Sequence, residues 1–169
     1  MVDAGAEHTG FRLWDFRVGT DDRFEWSSPD DKPGGHVDMG RSAIVNGDGW
    51  STGLLPRGYD ALHGAENLLN LVQYLRPGGS LNWSIAEHVY LRTDDESFVI
   101  GSTYGGDHSW AAFEDEIYLA YLDGSGFVRL AHTRSEQVGP NADWNYWAEP
   151  RAVVDRRGRY VVYTSDLGS

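Results

Sequence analysis

The chain has 169 residues, enough for one domain with a hydrophobic core. A formal net charge of −12 argues against nucleic acid and anionic membranes as partners, since both call for a basic face. The absence of cysteine excludes disulfides and thiolate metal sites, while 21 glycines and 7 tryptophans suit an all-β protein of short strands and tight turns.

No run of 18 or more apolar residues is present, so nothing in the sequence reads as a membrane-spanning helix. Residues 1–8 carry neither a basic n-region nor an apolar h-region and do not form a secretion signal. Strand signals then arrive in pairs. Phe11–Arg17 alternates apolar and polar, Gly19–Asp22 reads as a turn, and Arg23–Trp26 is a short strand. Residues 27–35 form a loop by composition. His36–Met39 and Ser42–Val45 make a weaker pair, followed by the turn signal Asn46-Gly47-Asp48-Gly49. Residues 50–66 read as irregular, and the apolar run 67–75 is assigned as strand from its context.

Beyond the Arg76–Gly79 break, Glu87–Leu91 and Ser97–Ser102 predict a hairpin around Thr93–Asp95. Glu116–Leu122 and Phe127–Ala131 predict another around Asp123–Gly126, so 87–131 reads as one four-stranded antiparallel unit. The last hairpin pairs 148–155 with 160–166 across the turn Arg156-Arg157-Gly158-Arg159. Gly35-His36-Val37, Glu87-His88-Val89 and Glu149-Pro150-Arg151 occupy equivalent strand starts. Their separation of roughly 50 to 60 residues is slightly above the roughly 40 to 50 usual for propeller blades, and insertions at 50–66 and 132–147 account for the excess. The expected fold is therefore one partial β-propeller domain over residues 1–169, made of four-stranded antiparallel blades. It contains an outer half-blade (11–26), a blade (36–75), a blade (87–131) and an inner half-blade (148–164). Propellers typically have about 4 to 8 blades. About three blade-equivalents therefore leave either an incomplete ring or a ring closed by oligomerisation, with a homodimer as the simplest case.

Three stretches carry a resemblance: D-E-I-x-x-x-x-L-D-G-S-G at 115–126, L-A-H-T-R-S at 130–135, and Y-W-A-E-P with G-R-Y-V-V-Y-T-S-D-x-G across 146–168. From about residue 35 onward the chain resembles the C-terminal blades of bacterial TolB-type, WD40-like propellers, including relatives of oligogalacturonate lyase. The resemblance implies a propeller fold and a periplasmic or extracellular setting. In the lyases, metal-binding histidines lie just before the proline of a late blade; Trp147 and Glu149 stand at those positions here.

In a propeller register, His36, Asp38, His88, Asp107, His108, Trp110, His132, Arg134, Trp144, Tyr146, Trp147, Glu149 and Arg151 fall near one rim. Two chemistries follow. His36 and His88 begin adjacent inner strands, and with a carboxylate from Glu149 or Asp38 they suit a divalent metal such as Mn or Zn, the one cofactor these residues suggest. Such a metal would acidify the C–H beside a uronate carboxylate for β-elimination, making the chain an oligogalacturonate-like polysaccharide lyase. Alternatively, the rim is a non-catalytic platform for carbohydrate or protein. Trp110, Trp144, Tyr146 and Trp147 then offer flat faces to sugar rings, with Arg134, Arg151 and His132 as polar partners. The platform is the primary expectation and the lyase the alternative.

Asp107, His108 and Ser109 are adjacent in sequence and do not make a hydrolytic triad, whose groups must converge in space. The acidic pairs at 21–22, 30–31 and 94–95 read as solvated turn residues, and Asn82-Trp83-Ser84 matches a glycosylation sequon.

Overall fold

A computed structural model describes residues 12–15, 20–23, 36–41, 43–47, 54–58, 71–82, 84–105, 112–135 and 146–165. Every described strand belongs to an antiparallel sheet, and no α-helix occurs among the described residues. The first sheet pairs β1 (Arg12–Asp15) with β2 (Thr20–Arg23). The second runs β3 (Val37–Met39), β4 (Ala43–Gly47), β5 (Leu54–Gly58). The third is four-stranded, in the order β6 (Ile85–Tyr90), β7 (Phe98–Gly105), β8 (Glu116–Tyr121), β9 (Phe127–His132). A 3₁₀ turn, Tyr146–Ala148, leads into the last pair, β10 (Val153–Val154) and β11 (Val161–Val162).

The inner strands β7 and β8 of the four-stranded sheet are buried on both faces, and the pleat explains how. Successive side chains on β7 point to opposite sides. Val99 joins Val45, Val72, Tyr74, Leu91 and Tyr118 in one core, whereas Ile100 joins Ile117, Ala152 and Val154 in the other. The sheet β6–β9 is thus sandwiched between β3–β5 on one side and β10–β11 on the other. Polar ties fix the stack. Leu91 N and Arg92 donate to the buried Asp38 carboxylate, with Leu91 N at 2.8 Å. Asp94 N donates to the Arg156 carbonyl at 2.8 Å, and Ala152 N donates to Ser102 Oγ at 3.2 Å. Gly101 lets Tyr118 cross β7, because a Cβ there would overlap the Tyr118 ring. The described residues form no closed propeller.

Several expectations are corrected. Thr20–Asp22, read as turn, lies in β2, which begins earlier than the polar sequence suggests. Residues 54–58, read as irregular, form β5; among the described strands it pairs with β4 alone, and an edge strand tolerates Pro56, which lacks an N–H. The 36–75 unit is three-stranded among the described residues. Residues 71–75 contribute buried Leu71, Val72 and Tyr74 and an isolated Leu75–Leu81 bridge instead of a fourth strand. In the final hairpin Ala148 belongs to the 3₁₀ turn and each strand has two residues. The sequon asparagine Asn82 is fully buried and donates Nδ2–H to Glu114, which is no place for a glycan.

Candidate functional site

At the starts of β3 and β10, and midway along β6, a polar and aromatic cluster forms from three sheets. His36 immediately precedes β3, and its Nδ1–H donates to the Glu87 carbonyl at 2.5 Å. That bond seats its ring against His88, with centroids 4.1 Å apart. His88 also stacks on Tyr104 of β7 at 5.0 Å. The register places Ser102 opposite His88, so Tyr104 is the diagonal neighbour on the same face.

The 3₁₀ turn delivers the other half. Glu149 is 5% exposed, and its Oε2 lies 3.2 Å from His88 Nε2. Arg151 Nε lies 3.4 Å from the same His88 nitrogen, and its Nη2 reaches Glu149 Oε2 at 3.5 Å. One nitrogen therefore faces a carboxylate and a guanidinium: with a proton it donates to Glu149, without one it accepts from Arg151. The Arg151 guanidinium sits over the Tyr146 ring at 4.3 Å, a cation–π contact. Trp147 meets Tyr146 edge-on at 5.5 Å and is 84% exposed, the largest exposed apolar ring among the described residues.

Electrostatics keep the interior of this cluster uncharged on its aromatic side. Burial, and next the adjacent His36, lower the His88 pKa, with Glu149 opposing them. Burial, with the Glu149 and Glu87 carboxylates, raises the Tyr104 phenol to about 12. At neutral pH the group consists of a neutral imidazole, a phenol and a buried carboxylate, beside a cation and two exposed rings. It can bond hydroxyls, pair with a carboxylate through Arg151, and stack on a flat apolar face.

His36, His88, Glu149, Arg151, Tyr146 and Trp147 are therefore brought together. His132 and Arg134 lie at and just beyond the end of the edge strand β9, both exposed, with Arg134 N donating to His132 Nδ1. Their link to the cluster runs through Ser165, whose hydroxyl donates to the Thr133 carbonyl, and Thr164, whose hydroxyl accepts from Arg151 N. Trp110, Trp144, Asp107 and His108 lie outside the described residues. Asp38, the alternative carboxylate for a metal, lies midway along β3, bound to Arg92 and Leu91 N, and does not join the histidines.

As placed, the metal candidates form a stacked, hydrogen-bonded group rather than donors aimed at one point. Among the described residues no set of three or more His, Asp or Glu side chains is arranged to hold a metal ion. Sequence reasoning missed Tyr104 and Glu87. Reading β7 two residues beyond Ser102, on the His88 side of the pleat, would have found Tyr104; the buried Glu87 carries no sequence signal beyond its place in the strand. No family model, curated protein or solved structure matches this chain.

Proposed function

We propose that the chain is part of a TolB-like, WD40-like β-propeller whose rim binds carbohydrate, with acidic sugars as the best-fitting class. One observation carries this reading: the exposed Trp147 ring stands beside Tyr146, whose ring carries the Arg151 guanidinium, and Arg151 in turn reaches the half-buried His88 and the buried Glu149. A sugar ring stacks on indole, its carboxylate pairs with arginine, and its hydroxyls meet His88 and Tyr104. Stacked neighbouring sheets support the propeller, and pairing of two copies would complete its two-stranded sheets. A periplasmic or extracellular setting accompanies this reading through the resemblance alone.

Calorimetric titration with trigalacturonate and maltotriose tests it. Saturable binding of the acidic sugar is expected, lost in Trp147→Ala and weakened about tenfold in Arg151→Ala, as for one charge-assisted contact. Binding that survives Trp147→Ala unchanged would remove the reading's main support. A peptide or protein ligand at the same rim would appear as no binding of either sugar.

A second reading rests on His36, His88 and Glu149, from three separate segments, meeting at all. A lyase using Mn or Zn would contain equimolar metal, lost in His88→Ala, and would release 4,5-unsaturated uronate, seen by its ultraviolet absorbance. A metal-free protein with no such product defeats this reading and leaves the platform standing.

A further inference from the structure

The far ends of β3, β6 and β10 hold a second group that the rim chemistry does not use. The turns after these strands come together around a cleft of about 310 Å³ lined by Arg41, Arg92, Thr93, Asp94, Glu96 and Arg156, among others. Each of three sheets supplies one arginine. Strand rise is about 3.3 Å per residue, so the cleft lies some 13–16 Å along the strands from the His88 cluster.

Two of these guanidinium groups are pre-positioned. Arg92 Nε and Nη2 lie 3.2 and 3.0 Å from the buried Asp38 Oδ1. Arg156 Nε and Nη2 lie 2.9 and 2.7 Å from Asp94. Arg41 differs: its backbone N–H donates to Glu96, while its side chain has no partner among the described residues. The two lining carboxylates are engaged by Arg156 and by the Arg41 amide. A guanidinium without a partner among the described residues, flanked by two held guanidinium groups in one cleft, makes a receptor for oxygen anions. In a chain of net charge −12, three arginines in one cleft are a local excess of positive charge.

We propose that this cleft binds a small oxyanion, a phosphate or a carboxylate, independently of the rim. Holding Arg92 and Arg156 in place beforehand lowers the ordering cost of binding. Arg41 is the residue that changes partners, from water to ligand.

Calorimetry with inorganic phosphate and with malonate, at constant ionic strength, tests the proposal. One saturable site is expected for at least one of the two, and which anion saturates it assigns the class. Arg41→Ala should weaken it about tenfold, the worth of one charge-assisted hydrogen bond. Arg157→Ala, the neighbouring exposed arginine whose side chain is also unpartnered and which does not line the cleft, should change it by less than about twofold. Neither substitution removes a contact that supports the fold. Trp147→Ala should leave binding intact, which separates this cleft from the rim. The proposal is overturned if neither anion saturates, if Arg41→Ala and Arg157→Ala weaken binding equally, or if Trp147→Ala abolishes it.

Discussion

His88 is the residue on which the rim turns, because its Nε2 is shared by Glu149 and Arg151. Burial and His36 lower its pKa below the value of about 6.5 expected in the unfolded chain. As pH falls, the unfolded chain therefore takes up this proton before the folded one. The stability that depends on His88 is complete above about pH 6.5 and declines below it, until folded His88 itself protonates. Wild-type protein should accordingly lose urea midpoint between pH 7.5 and 5.5. In His88→Gln, which cannot titrate there, that decline should be visibly shallower. Parallel pH profiles for the two proteins would show that His88 is not the titrating group. Titration of the His88 Cε1–H signal by NMR would show the same effect directly, with His88 protonating below the ordinary imidazole value.

At the scale of elements, the contact between β7 and β8 sets the geometry that the rim inherits. Tyr118 passes over Gly101 and ends in a 2.6 Å hydrogen bond to Tyr74, with both hydroxyls buried. Gly101→Ala should cost about 1–3 kcal/mol by overpacking that crossing. Tyr118→Phe should cost a similar 1–3 kcal/mol by leaving the Tyr74 hydroxyl buried without a partner. Urea denaturation measures both, and a loss below about 0.5 kcal/mol in either would mean the crossing relaxes freely. The same sheet was the most legible in the sequence. Its β-branched and aromatic runs are bounded by Thr93–Asp95 and by Asp123-Gly124-Ser125-Gly126, where Gly124 and Gly126 take positive φ. β5 was hidden because Leu54-Leu55-Pro56-Arg57-Gly58 carries the residues of a breaker; only its place at a sheet edge makes it a strand. β2 was hidden because Thr20-Asp21-Asp22-Arg23 has no apolar alternation. At the site, equivalent strand starts pointed to His36, His88 and Glu149. Tyr104 and the Arg41–Arg92–Arg156 cleft depend on side-by-side register between segments far apart in sequence, which no local pattern encodes.

For the whole molecule, the question is how its two-stranded sheets are satisfied. An isolated pair of strands is marginal in water. Among the described residues β1–β2 and β10–β11 are two-stranded, the latter packed on β6–β9, whereas β6–β9 shows the four-stranded unit that two of them would add up to. β11 presents Val162 at 67% exposure, with Tyr160 beside it at 66%, along an edge that pairs with no other described strand. Exposed apolar edges recruit further strands. Pairing β10–β11 of one copy with β1–β2 of a second would bury these residues. The expected solution species therefore has about twice the 18.8 kDa chain mass and dissociates on dilution, as measured by light scattering across a concentration series. Val162→Lys should convert it to monomer without touching either core, since the side chain contacts solvent. Leu130→Lys serves as the comparison, because Leu130 is also exposed, at 45%, but sits on the edge strand β9 of the completed sheet. Dissociation by Val162→Lys alone places the interface at the two-stranded sheets. Dissociation by Leu130→Lys alone moves it to β9, and a species of 18.8 kDa at every concentration removes the dimer and leaves each site to be tested on the single chain.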